Sequence, residues 1–214
     1  MSDIFREIEE DLQRDRFKKL WEKYGVLVVA AAIALVLGTA GWQVWKSYKL
    51  RHDQALGQRY AEAEQLAAAG KTKEAEDAFG KLAEEASGGY SALARLQEAS
   101  LLAKAGNVEG AVAVYDKLAA DDSVDRTYRD LATLLAASHG IQNGDPVKLA
   151  QRLAPLTAVG NPWRASALEL TALLAMRTGD KTRASQLYAE LADDATAPAG
   201  VRARAAEMLA ALKG

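Results

Sequence analysis

Four times along the chain a glycine is followed by the same ladder of spacings: an alanine or leucine five positions on, an aromatic or leucine four further, and a leucine three beyond that. The sets are Gly70, Ala75, Phe79 and Leu82; Gly106, Ala111, Tyr115 and Leu118; Gly144, Leu149, Leu153 and Leu156; and Gly179, Ala184, Tyr188 and Leu191. Their glycines stand 36, 38 and 35 residues apart. A unit this short cannot bury its own apolar face, so a chain built from such units has to stack them into a continuous core. Each glycine predicts a helix end closed in the left-handed conformation, and each ladder predicts a second helix whose small residue, aromatic and leucine share one face. Asn107, Asp145 and Asp180 follow three of the glycines and are expected N-caps.

Upstream of the glycines, Ala63, Ala99 and Ala172 recur seven residues before Gly70, Gly106 and Gly179, where a small side chain lets two helices approach closely. Residues 199–212 place Val201, Ala205 and Leu209 on one face and read as a helix that caps the last unit. The period, the small residues and the aromatic are those of tetratricopeptide-type helix hairpins, with alanine and leucine standing where an ideal first helix carries Trp, Gly and Tyr. The expectation is an all-α fold: a tetratricopeptide-like α-solenoid of about four helix hairpins over residues 46–214. Four prolines in 214 residues and an abundance of Ala and Leu agree with helices throughout.

Ahead of the repeats, residues 24–45 read YGVLVVAAAIALVLGTAGWQVW without a charge. A helix of that length rises about 33 Å, close to the roughly 30 Å of a hydrocarbon core, and Trp21, Tyr24, Trp42 and Trp45 sit where interfacial aromatics belong. The expectation is therefore a single N-terminal transmembrane helix at 24–45 behind a cytoplasmic leader at 1–23. The five basic residues nearest ahead of the run (Arg14, Arg16, Lys18, Lys19, Lys23) outnumber the four that follow it (Lys46, Lys49, Arg51, Arg59), which leans toward a cytoplasmic N-terminus and a periplasmic repeat domain. Gly38 and Ala40 offer a competing signal-peptidase site, disfavoured because the apolar run continues past it to the Trp pair. Within the leader, Phe5, Ile8 and Leu12 form one helical stripe and Phe17, Leu20, Trp21 and Tyr24 a second.

The leader ending in Trp21-Glu-Lys-Tyr-Gly25, the run closing in Gly41-Trp-Gln-Val-Trp45 and the segment Tyr90-Ser-Ala-Leu-Ala-Arg-Leu-Gln-Glu-Ala99 together resemble the YfgM family, and the stretch from Trp163 to Leu191 is similar as well. That resemblance spans the chain end to end. It implies an inner-membrane protein of Gram-negative bacteria whose repeat domain associates with the SecYEG translocon, with periplasmic chaperones or with exported chains. The leader is longer and more basic than the family's.

Chemistry is sparse by comparison. With no cysteine, thiolate metal sites and a cysteine nucleophile are excluded. His52 and His139, the two histidines, lie outside any metal-ligand spacing. The acidic pairs Asp121-Asp122 and Asp193-Asp194 fall between units, where capping accounts for them. No phosphate-binding loop, zinc-protease or nucleophile-elbow motif occurs, and a net charge of -2 gives no electrostatic footprint for nucleic acid. The expectation is a protein-binding scaffold with no catalytic residue, cofactor or metal; a structural repeat protein of envelope assembly or cell division is the alternative. A partner groove is expected along the first helix of each hairpin, with Tyr60, Arg95, Trp163 and Arg164 as its contact residues.

Overall fold

In the computed structural model the backbone is described for residues 2–213, and side chains for residue 18, residues 21–27, 29–30 and 33–212. Among the described residues the chain is helical throughout: α1 (Ser2–Ala68), α2 (Thr72–Glu85), α3 (Gly89–Lys104), α4 (Val108–Ala119), α5 (Arg126–Gly140), α6 (Pro146–Leu153) with a 3₁₀ turn at Ala154–Thr157, α7 (Arg164–Arg177), α8 (Lys181–Asp193) and α9 (Ala199–Lys213). Two compact units divide it, Met1–Ala55 and Leu56–Gly214.

The second unit contains the repeats. Residues 56–68 of α1 pack on α2 through Leu56, Tyr60 and Ala63, and α3 pairs with α4, α5 with α6 and α7 with α8, each pair being one hairpin; α9 follows α8 as a single helix. All twelve ladder residues are buried, the most open being Leu149 at 6 % exposure, and Ala63, Ala99 and Ala172 are fully buried. Four apolar clusters result, and every one has the same construction. Two helices of a hairpin are joined by the first helix of the next: α1 and α2 with α3, α3 and α4 with α5, α5 and α6 with α7, α7 and α8 with α9. Because each cluster takes in the first helix of the following hairpin, the last unit is complete only when α9 supplies Val201 and Ala205, both buried there.

Three of the hairpin turns are the same motif. Gly70, Gly106 and Gly179 take φ of 75°, 85° and 81°. In each, the residue after glycine donates its N–H back across the turn: Lys71 to Leu66, Asn107 to Leu102 and Asp180 to Ala175. That double closure satisfies carbonyls the helix end leaves open, and only glycine enters the left-handed region cheaply. Asn107 and Asp180 then cap the next helix, accepting from the N–H of Gly110 and Arg183, and Asp145 accepts from Val147 and Lys148.

The third hairpin departs from the expectation at Gly144. Here α5 ends at Gly140, residues 141–145 form a longer turn, and Gly144 has no positive φ. Open carbonyls are satisfied from the next hairpin instead, where the Arg177 guanidinium donates to Ile141 O at 2.7 Å and Gly144 O at 2.6 Å. Glycine is still needed, since a Cβ at 144 would lie 2.8 Å from the Gly140 carbonyl. The short α6 has its own cause: Pro155 lacks the N–H that would bond the Gln151 carbonyl, so the helix tightens into the 3₁₀ turn.

The first unit corrects an expectation. Among the described residues no helix is long and apolar enough to cross a membrane, which overturns the transmembrane helix at 24–45 and with it the single-pass inner-membrane placement and its cytoplasmic-to-periplasmic orientation. The strongly apolar part is 26–37, a rise of only about 18 Å in a helix against roughly 30 Å of hydrocarbon core. Beyond it, Gly38, Thr39, Gly41 and Gln43 dilute the run, which lies within α1 with no helix end at either side. Trp42 and Trp45 pack with ring centroids 5.3 Å apart, and the Lys49 ammonium lies 5.8 Å from the Trp45 ring. The leader stripe of Phe5, Ile8 and Leu12, with Phe17 and Leu20 of the second, lies outside the described side chains.

Candidate protein-binding surface

Polar side chains between the hairpins follow two spacings. Within a hairpin, an arginine of the first helix reaches an acid 26 residues on: Arg59 to Glu85, Arg95 to Asp121 and Arg164 to Glu190. Between hairpins, bonds span about one repeat period: Arg152 to Asp116 and the Trp163 indole to the Thr127 carbonyl at 36 residues, Arg204 to Glu169 at 35. The stack is thus latched by its own periodicity in the polar layer as well as in the core.

The four expected groove residues all take part in these latches. The Tyr60 hydroxyl accepts from Gln97 at 3.2 Å, and its ring meets Phe79 edge-on at 5.3 Å between centroids. Arg95 is held by Asp121. Trp163 donates to Thr127 O at 2.9 Å. Arg164 spans Glu190 and, at 3.0 Å, Asp194. Each is half-buried, and the fold brings Trp163 and Arg164 together while Tyr60 and Arg95 sit in the first and second hairpins.

Asp121 and Asp194 show why acids recur in the turns between hairpins. Asp121 Oδ1 accepts both the N–H and hydroxyl of Ser123, and Asp194 Oδ1 accepts the same pair from Thr196. In both turns a small apolar residue follows and is buried, Val124 and Ala197. The Ser123 hydroxyl, then the Arg95 guanidinium, hold the Asp121 carboxyl down at about 2. Thr196 lowers that of Asp194 in the same way, and the Arg59 hydrogen bond lowers Glu85. The Asp121 and Asp194 carboxylates are committed to their turns, whereas Asp122 is exposed and pairs with Arg129. His139 lies over Tyr115, ring centroids 5.8 Å apart and nearly parallel.

Clefts open along the hairpin edges. Two flank the loop at residues 158–162, one of about 310 Å³ bordered by Arg126, Asp130 and Asn161, the other of about 550 Å³ bordered by Arg164, Glu190 and Asp194. Val159 at the loop tip is 94 % exposed. A third, mainly apolar groove of about 370 Å³ lies over α6 and α7, lined by Val147, Ala150 and Leu174. Among the described residues no three His, Cys, Asp or Glu side chains gather in a way that could hold a metal ion. Arg152, Arg177 and Arg204, and Arg59 in its role as a latch, have no local signal in the sequence, although the repeat register carries one: their bond partners lie 26 or 33 to 36 residues away.

A tetratricopeptide repeat-like domain is matched over residues 18–200. The chain belongs to the tetratricopeptide repeat-like family. No curated protein matches it. Family membership agrees with the hairpin register, and arrays of this type act as protein-interaction scaffolds, offering extended surfaces to partner chains.

Proposed function

We propose that this tetratricopeptide repeat-like chain is a protein-binding scaffold for protein export, and that the first helices of its hairpins present the surface that partners grip. The observation that carries the scaffold reading is the family match over 18–200 on a stack of four hairpins with a closing helix. The export partners, translocon subunits and the chaperones that handle exported chains, rest on the resemblance to the YfgM family in the leader and the Tyr90 to Ala99 segment. Such a scaffold works by display, since holding two partners on one surface raises the concentration each sees of the other. Tyr60, Arg95, Trp163 and Arg164 shape that surface in this reading, through atoms left open after their latches are made.

Photo-crosslinking side chains placed at Leu93, Ser138 and Leu173, exposed on α3, α5 and α7, test it in cells, with Lys81, Glu109 and Arg183 on the second helices as controls. Translocon subunits or export chaperones captured from the first set and not the second are expected. Capture only of envelope-assembly proteins would transfer the chain to the structural alternative, and equal capture from both sets would remove the proposed surface.

A further inference from the structure

Glu98 stands out among the acids of the repeat stack. It sits on α3 facing α2, half-buried, and its carboxyl fills the space that Gly80 leaves open: a Cβ on Gly80 would lie 3.3 Å from Glu98 Oε1. On α2, Glu76 and Glu84 lie one helical turn to either side of Gly80, and so on the same face. Three carboxylates therefore meet at one seam between the first and second hairpins. The charges acting on Glu98 are Glu76 and Glu84 of α2, Arg95 of its own helix and Lys117 of α4. Two cations oppose the glutamates: Lys117, whose charge acts on Glu98 more strongly than either of them, and Arg95, which is already bound to Asp121. Glu76 is held by Lys73 at 2.9 Å, whereas Glu98 has no hydrogen-bonded partner among the described residues.

Register sharpens the contrast. Eight residues before the turn glycine, the position of Glu98 is taken by Thr171 in α7 and Ala136 in α5, and the position of Gly80 by Ala154 and Asp116. Only the first seam puts a carboxylate opposite a carboxylate pair. We propose that this seam is an acid-tightened joint: with Glu98 charged the first two hairpins bear the lost hydration of a half-buried carboxylate lying beside two others, and on mild acidification Glu98 takes up a proton and they pack more closely on each other. Burial, the largest cause, raises the Glu98 carboxyl above its ordinary 4.5; Lys117 and Arg95 pull against it, Glu76 and Glu84 add to it, and the net direction is upward, so the proton is taken up at a pH where exposed carboxylates remain charged. The sign follows: stability contributed at this seam is complete below the unfolded value and is lost as pH rises through the folded one.

The full-length chain and its Glu98→Gln variant, compared by thermal unfolding from about pH 7 to about pH 4, test the joint. The variant should melt higher at the upper end, and the two should converge at the lower. Hydrogen exchange, corrected for intrinsic rate, should slow in α2 and α3 of the natural chain as pH falls, and stay level in the variant. Glu109→Gln, on the exposed face of α4, should leave the profile unchanged. Parallel melting profiles for Glu98→Gln and the natural chain, or a variant less stable at about pH 7, would overturn the joint whatever partner the scaffold binds.

Discussion

Asp121 and Asp194 occupy one position in two hairpins and perform the same three tasks, closing a turn through Ser123 or Thr196, receiving an arginine from the first helix and setting up a buried residue three positions on. Asp121→Ala removes the turn and leaves the half-buried Arg95 without its carboxylate, an expected loss of about 2 kcal/mol at neutral pH in urea unfolding. The sign of its pH dependence is fixed by a carboxyl lowered to about 2 from 3.8: its contribution is present above the unfolded value and disappears as pH falls through the folded one. The natural chain and the variant should therefore converge in strong acid, and a constant difference down to about pH 2 would refute this account. Tyr188 offers the opposite case. Its ring is as buried as Phe79 in the same register, but its hydroxyl has no partner among the described residues. Tyr188→Phe should be neutral or stabilising by up to about 1 kcal/mol in the same measurement, since it removes only an unsatisfied group.

At the scale of elements, the hairpins were legible where local chemistry alone decides. The left-handed glycines at 70, 106 and 179, the caps at Asn107, Asp145 and Asp180, and the buried ladder all follow from residues within a few positions of each other. Gly144 shows where that legibility stops, because its turn is finished by Arg177, a residue 33 positions away. The groove residues illustrate the same limit: side-chain types at Tyr60, Arg95, Trp163 and Arg164 suggest contact surfaces, while the bonds they make within the stack depend on packing between hairpins. The run at 24–45 was overread for a related reason, since a count of uncharged residues weighs Gly38, Thr39, Gly41 and Gln43 equally with valine and leucine. Arg177→Met keeps the aliphatic stem and removes both donors, leaving the Ile141 and Gly144 carbonyls unsatisfied. It should cost about 2 kcal/mol and raise hydrogen exchange at the end of α5 and the start of α6, with α2 to α4 unaffected. Uniform loss of protection across all hairpins would show that Arg177 supports more than its own turn.

For the whole repeat unit, the four apolar clusters impose a directional logic. Every cluster needs the first helix of the following hairpin, so stability should behave as a chain of nearest-neighbour terms, with α9 closing only the last of them. Removing residues 199–214 strips Val201 and Ala205 from the α7 and α8 cluster and uncovers Leu187, Tyr188 and Leu191, all nearly inaccessible in the intact chain. Burying a side chain of that size contributes about 2 kcal/mol, so losing part of the cover from three should exceed the stability of a single hairpin. Deuterium exchange followed by mass spectrometry should then find α7 and α8 unprotected while α2, α3 and α4 keep their protection, because the third hairpin stands between them and the one left uncovered. Loss of protection throughout would mean that the stack folds as one cooperative block, with coupling carried beyond the nearest neighbours that its clusters and latches join directly.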